Sequence, residues 1–168
     1  RGRLDVARGN PARARQTLDQ LVAQGESIKD QLLEGEIALA EADPQTAEQL
    51  FGQVARSRPA HPEAYLGRIR AHLDLGNARQ AAELISRLAP LLGDEGTPIV
   101  LAYLNAHRLR LEGTVQGARS AALDILEREP GHLDAAFLLA STDFEASRYA
   151  DAITRLAALS PEDDTDVA

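Results

Sequence analysis

A chain of 168 residues has room for one domain or a short repeat array, and its apolar fraction of 44% with only 4% aromatics is mostly Ala and Leu. These, with Arg, Gln and Glu, are strong helix formers, and β-branched runs are nearly absent, so an all-α fold is expected. A net charge of −8 argues against nucleic-acid binding, the lack of cysteine excludes disulfides and thiolate chemistry, and no apolar run approaches the ~18 residues of a membrane span.

The chain opens on Arg1-Gly2-Arg3-Leu4, inside a helical pattern and without a methionine. This reads as a piece of a longer protein whose targeting signal lies elsewhere. Short breaks follow at Gly9-Asn10, Ala42-Asp43, Gly76-Asn77, Gly113-Thr114 and Ser147-Arg148. They predict helix pairs at 1–8 with 11–24, 28–41 with 44–57, 62–75 with 78–91, 98–112 with 115–129, and 133–146 with 149–160. Gly9, Gly76 and Gly113 sit where a first helix must end in a left-handed residue. Asn10, Asp43, Asn77 and Thr114 then stand at the N-cap of the second helix. Pro11 and Pro44 fall in its first turn, where the missing N–H is harmless, and Pro59 and Pro130 close second helices. Five arginines crowd the first fifteen residues, and Glu162, Asp163, Asp164 and Asp166 make 161–168 an acidic tail expected to be disordered. Solvated charge is the ordinary reading of both ends, an electrostatic docking patch the alternative.

Each break is followed by an alanine: Ala14, Ala47, Ala81, Ala118 and Ala152, separated by 33, 34, 37 and 34 residues. Four residues on come Leu18, Phe51, Ile85, Ala122 and Leu156, and three further Leu21, Val54, Leu88, Ile125 and Leu159. This i, i+4, i+7 spacing puts each trio on one helical stripe. A small residue at the crossing lets two antiparallel helices approach, and the larger ones fill the space toward the next pair. One pair cannot cover its own apolar face, so pairs must stack.

These features resemble the tetratricopeptide repeat family from Arg1 to about Ser160. That family has a 34-residue helix–turn–helix unit, with a small residue midway along the first helix, an Ala early in the second, a large apolar residue a turn later and a closing Pro. Gly35, Ala47, Phe51 and Pro59 fit, as do Leu139-Ala140, Tyr149, Ala152 and Leu156, with Tyr149 taken as a core aromatic. Ile69 at the small-residue site, Ala122 at the large one and three added residues in the linker 93–97 depart from the pattern. The resemblance implies a right-handed α-solenoid over 1–160, with repeats at about 1–27 (truncated), 28–61, 62–96, 97–132 and 133–160.

It also implies a concave surface lined by first helices that binds a peptide or partner helix. Here that surface maps to Leu32, Glu36 and Leu39, then Leu66, Arg70 and Leu73, then Tyr103, His107 and Arg110, and last Phe137, Ser141 and Phe144. Leu32, Leu66, Tyr103 and Phe137 form one row, and Leu39, Leu73, Arg110 and Phe144 another. Two readings stand: an apolar docking groove rimmed by charge, or side chains that pack between neighbouring first helices. The groove lacks the basic, amide-rich set with which chaperone adaptors of this family hold a C-terminal carboxylate.

No phosphate loop, paired-histidine zinc helix or nucleophile elbow occurs. His61 and His132 lie in inter-repeat turns with solvated or capping roles, His72 reads as packed, and His107 reads as facing the groove. The sequence therefore points to a protein-binding scaffold with no catalytic residue, cofactor or metal site. Its Ala/Arg/Leu/Gly bias and repeat texture are similar to bacterial exopolysaccharide-export or exosortase-linked tetratricopeptide proteins, which favours a periplasmic parent. A cytoplasmic regulatory or assembly module, or self-association through open repeat ends, is the alternative.

Overall fold

The computed structural model describes residue 6 and residues 8–22, 27–92 and 98–159. Most of the expected helix 1–8, the linker 93–97 and the tail 161–168 lie outside these. Among the described residues the chain is all-helical: α1 (Pro11–Val22), α2 (Ile28–Ala40), α3 (Pro44–Ser57), α4 (Pro62–Asp74), α5 (Ala78–Leu88, ending in a 3₁₀ turn Ala89–Leu92), α6 (Ile99–Leu111), α7 (Val115–Arg128), α8 (Leu133–Glu145) and α9 (Tyr149–Leu159). The chain divides into two compact units, Arg1–Thr97 and Pro98–Ala168. Within each, every helix packs on the next.

The boundaries follow from local chemistry. Gly9, Gly76 and Gly113 have φ of +68°, +72° and +74° at the breaks, and Ala42 and Ser147 adopt the same left-handed conformation at φ 58° and 60° despite their side chains. Asn10 and Asp43 accept hydrogen bonds from the backbone N–H of Arg13 and Thr46, both at 3.1 Å. Asn77 and Thr114 stand at their N-caps but make no side-chain capping bond, so helix start there rests on packing. A reciprocal capping box of Ser27 with Asp30 starts α2. Helix α5 becomes a 3₁₀ turn at Ala89, short of the expected 91, because Pro90 offers no N–H and crowds the preceding turn.

All five repeat alanines are buried. In the first unit Phe51 of α3 inserts between two glycines. A Cβ placed on Gly35 of α2 would lie 2.7 Å from its ring, and one on Gly67 of α4 only 2.5 Å away. The small residue of the third repeat is thus Gly67, two positions before the expected site, where Ile69 is itself buried. In the second unit the swap is reversed: Ala122 takes the place of the phenylalanine and shares a core with Ala106, Ile125, Ala135, Leu138 and Leu139. Bulk lost on one helix is regained on its neighbour, which keeps the interior filled.

Charged side chains cross the same helix joints. Glu48 of α3 accepts from Arg68 of α4 (Nη2 2.8 Å) and lies 3.9 Å from His72 Nε2. His72 is packed, with its Nδ1 buried and unpartnered. Burial holds its pKa below the usual histidine range; Glu48 opposes the shift and Arg68 adds to it. At the equivalent joint of the second unit the signs are exchanged, with Arg119 on α7 and Asp143 on α8. Asp143 is fully buried. Its Oδ1 accepts from Arg119 Nε (2.8 Å) and Arg148 Nε (3.0 Å), and its Oδ2 from Arg155 Nε (2.9 Å). Burial pushes this carboxyl up, yet hydrogen bonds from the three guanidinium groups outweigh that and hold it below the ordinary carboxylate value.

Candidate functional site

The residues expected to line a groove behave differently in the two units. In the first, Leu32 is 2% and Leu73 3% exposed, so both are core and offer no open surface. Leu32 packs with Ala38, Phe51, Val54 and Ala64, which is the packing alternative read from the sequence. Leu39, Glu36 and Leu66 are half-buried, and Arg70 is exposed. A continuous apolar row along these first helices is therefore absent from this unit: the helices close over their own leucines because α2 and α4 share the Phe51 knob.

In the second unit Phe137 is 52% and Phe144 63% exposed. One turn from each, Ser141 donates to the Phe137 carbonyl at 2.9 Å, which keeps its hydroxyl bound to its own helix. Arg110 of α6 reaches across to Glu145 of α8 (Nη2 2.7 Å), tying the two first helices together at the rim. Tyr103 and His107 are half-buried with ring centroids 6.3 Å apart, and Tyr103 also lies 5.5 Å from His132. His132 caps α8 through Nδ1, which accepts from Ala135 N–H at 3.2 Å.

A cavity of about 390 Å³ opens beside Phe144, lined by Arg110, Ser141, Glu145, Ala152, Ile153 and Leu156 among others. Its wall is mainly apolar, with a single ion pair at the edge. Tyr149, expected in the core, is instead half exposed and meets Phe144 edge-on at 5.2 Å. The reason is local: α9 has no described helix over its outer face, whereas α4 covers Phe51 and α8 covers Ala122. Ile153 was not readable as a site residue, since only the packing of α9 on α8 brings it to Phe144. The Asp143 cluster also escaped the sequence reading; its one signal was an acidic residue inside the apolar stretch of α8.

Among the described residues no three His, Asp or Glu side chains gather as a metal site requires. None of the described helices is long and apolar enough to cross a membrane. Stacked helix pairs with small residues at the crossings define a helical repeat scaffold. The chain matches the tetratricopeptide repeat family over residues 38–96 and 109–168, and it belongs to that family. No curated protein sequence matches it. Among solved structures it is similar to MamA 41-end from Desulfovibrio magneticus RS-1, with 16% identity, coverage of 94% of this chain and 88% of that one, and a TM-score of 0.64. It is also similar to a chain of the APC/C hetero-tetramer Cut9–Hcn1, at 17% identity and a TM-score of 0.75 over 91% of this chain but only 29% of that one. These likenesses concern the fold. Family membership supports protein–protein interaction as the general role of the chain.

Proposed function

We propose that the chain binds a partner peptide through the first-helix face of its second unit, with an apolar anchor side chain seated against Phe144. The observation that carries this reading is the exposure of Phe137 and Phe144, the latter beside a mainly apolar cavity of about 390 Å³. That volume falls within the usual range of ligand pockets and suits one or two side chains. Arg110 and Glu145 at the rim would orient the peptide backbone, a charged border around an apolar centre being the common anatomy of such surfaces. The twelve sequence-mapped positions thereby narrow to those of the second unit; Leu32 and Leu73 support the core instead.

Selection of a displayed peptide library on the intact chain, followed by rebinding to Phe144→Glu, tests this. Enrichment of peptides with an aromatic or aliphatic anchor, lost on that substitution while the melt is unchanged, is the expected result. Peptides that bind the variant equally well would defeat it.

A second reading, self-association, is favoured by the exposed outer face of α9, where Ile153 and Leu156 are 66% and 43% exposed. A light-scattering mass that stays monomeric across a concentration series would exclude it. The envelope or polysaccharide-export setting draws its support from composition and repeat texture alone, and a secretion assay on the protein as expressed from its gene tests it.

A further inference from the structure

At the junction of α7, α8 and α9 three arginines converge on one carboxylate. Asp143 takes Nε–H bonds from Arg119, Arg148 and Arg155 at 2.8–3.0 Å, and no other carboxylate among the described residues pairs with them. One carboxylate neutralises one guanidinium, so the junction holds two surplus positive charges in a chain of net charge −8. Each arginine bonds Asp143 through its Nε, so its Nη groups are not spent on that carboxylate. The Nη2 of Arg148 is buried and has no hydrogen-bond partner. A single arginine would serve to lock Asp143 in place. The arginine side chains are 25–32% exposed, so the cluster can be reached from solvent.

We propose that this junction is a second binding site of the scaffold, taking adjacent carboxylates of an acidic peptide segment. Arginine forks match carboxylates bidentately, and two surplus charges match two acidic side chains. The guanidinium groups reach in from α7 (Arg119), from the turn that precedes α9 (Arg148) and from α9 itself (Arg155). Separate forks of this kind suit carboxylates spaced along a peptide better than one tetrahedral anion. Asp143 then acts as the internal template that gathers the arginines, and its burial keeps it from competing with the ligand at the surface.

The test titrates the intact chain at low ionic strength with hexaglutamate, with hexaglutamine and with inorganic phosphate, following the arginine Nε–Hε NMR signals. Saturable shifts of Arg119, Arg148 and Arg155 with hexaglutamate alone are expected, weakened at least tenfold in Arg148→Gln, where Asp143 keeps two arginines. Arg119→Gln serves in the same way where Arg148→Gln fails to fold. Absence of saturation, equal binding by the variant, or saturation by phosphate without hexaglutamate would each overturn the proposal.

Discussion

The α3/α4 joint of the first unit and the α7/α8 joint of the second use the same repeat positions in opposite ways. The first drives a large apolar knob, Phe51, into a socket of two glycines, and its ion pair places the carboxylate on the second helix (Glu48) and the cation on the next first helix (Arg68), with the His72 imidazole beside it. The second replaces the knob with Ala122, reverses the ion pair to Arg119 and Asp143, and recruits Arg148 from the turn before α9 and Arg155 from α9. A repeat therefore fixes which positions must meet, but not which partner supplies the volume or the sign. The consequence reaches the surface. The unit with the aromatic knob buries Leu32 and Leu73 beneath its first helices, whereas the unit with the charged junction leaves Phe137 and Phe144 in the open.

Removing each joint's central group is the strongest way to break this comparison. Phe51→Ala should cost about 3–5 kcal/mol, since the cavity between two glycine-bearing helices has no side chain positioned to fill it. Calorimetric or denaturant melts with amide exchange should show that loss concentrated in the first unit. Asp143→Ala should cost less, roughly 2–3 kcal/mol. Breaking a buried ion pair costs ~3–5 kcal/mol, but the released guanidinium groups are partly exposed and can rehydrate. Equal losses in the two units would undo the contrast drawn between them.

Filling the socket sharpens the comparison. Gly67→Ala overpacks the Phe51 ring, a strain of ~1–3 kcal/mol offset by about 1 kcal/mol of helix propensity, so a net loss near 1 kcal/mol is expected. Adding Phe51→Leu to Gly67→Ala should recover part of it, as a double-mutant cycle would reveal. At the breaks, Ala42→Gly and Ser147→Gly should each raise stability by roughly 0.5–1 kcal/mol, because a left-handed conformation costs an L-residue about 1–2 kcal/mol and glycine much less.

The two joints should also part company in acid. His72 has a folded pKa below its unfolded value of about 6.5, so its contribution is full above that pH and drains away as pH falls beneath it. Asp143 is likewise held below its unfolded value of about 3.9, so the second joint should hold until pH drops under about 4. Amide exchange followed from pH 7.5 to pH 3.5 should loosen the Glu48–His72 joint first; simultaneous loosening of both would contradict the assignment.

Much of the fold was legible because it is written in local, repeated chemistry. The five breaks, the alanines five residues after each and the prolines at helix ends depend on backbone conformation and side-chain size, which a single strand of sequence displays. From Pro11 onward, the ends of the described helices consequently fall within three residues of those expected. The candidate site was legible only in part. Leu32 and Phe137 occupy the same repeat position, yet one is core and the other surface. Position in the repeat says which way a side chain points; neighbouring helices decide whether anything covers it. Tyr149 went astray for the same reason, as a core position becomes surface where no described helix lies above it.

The sequence by itself thus determined an all-helical chain of helix pairs, spaced by Ala14, Ala47, Ala81, Ala118 and Ala152, because periodicity and turn residues act over a few neighbours. Only the tertiary structure decided that Gly67 and not the position of Ile69 receives the Phe51 ring, that Asp143 gathers three arginines, and that Phe144 stands beside a cavity. Each of these depends on side chains far apart in sequence meeting across helices, and burial and charge pairing are properties of that meeting.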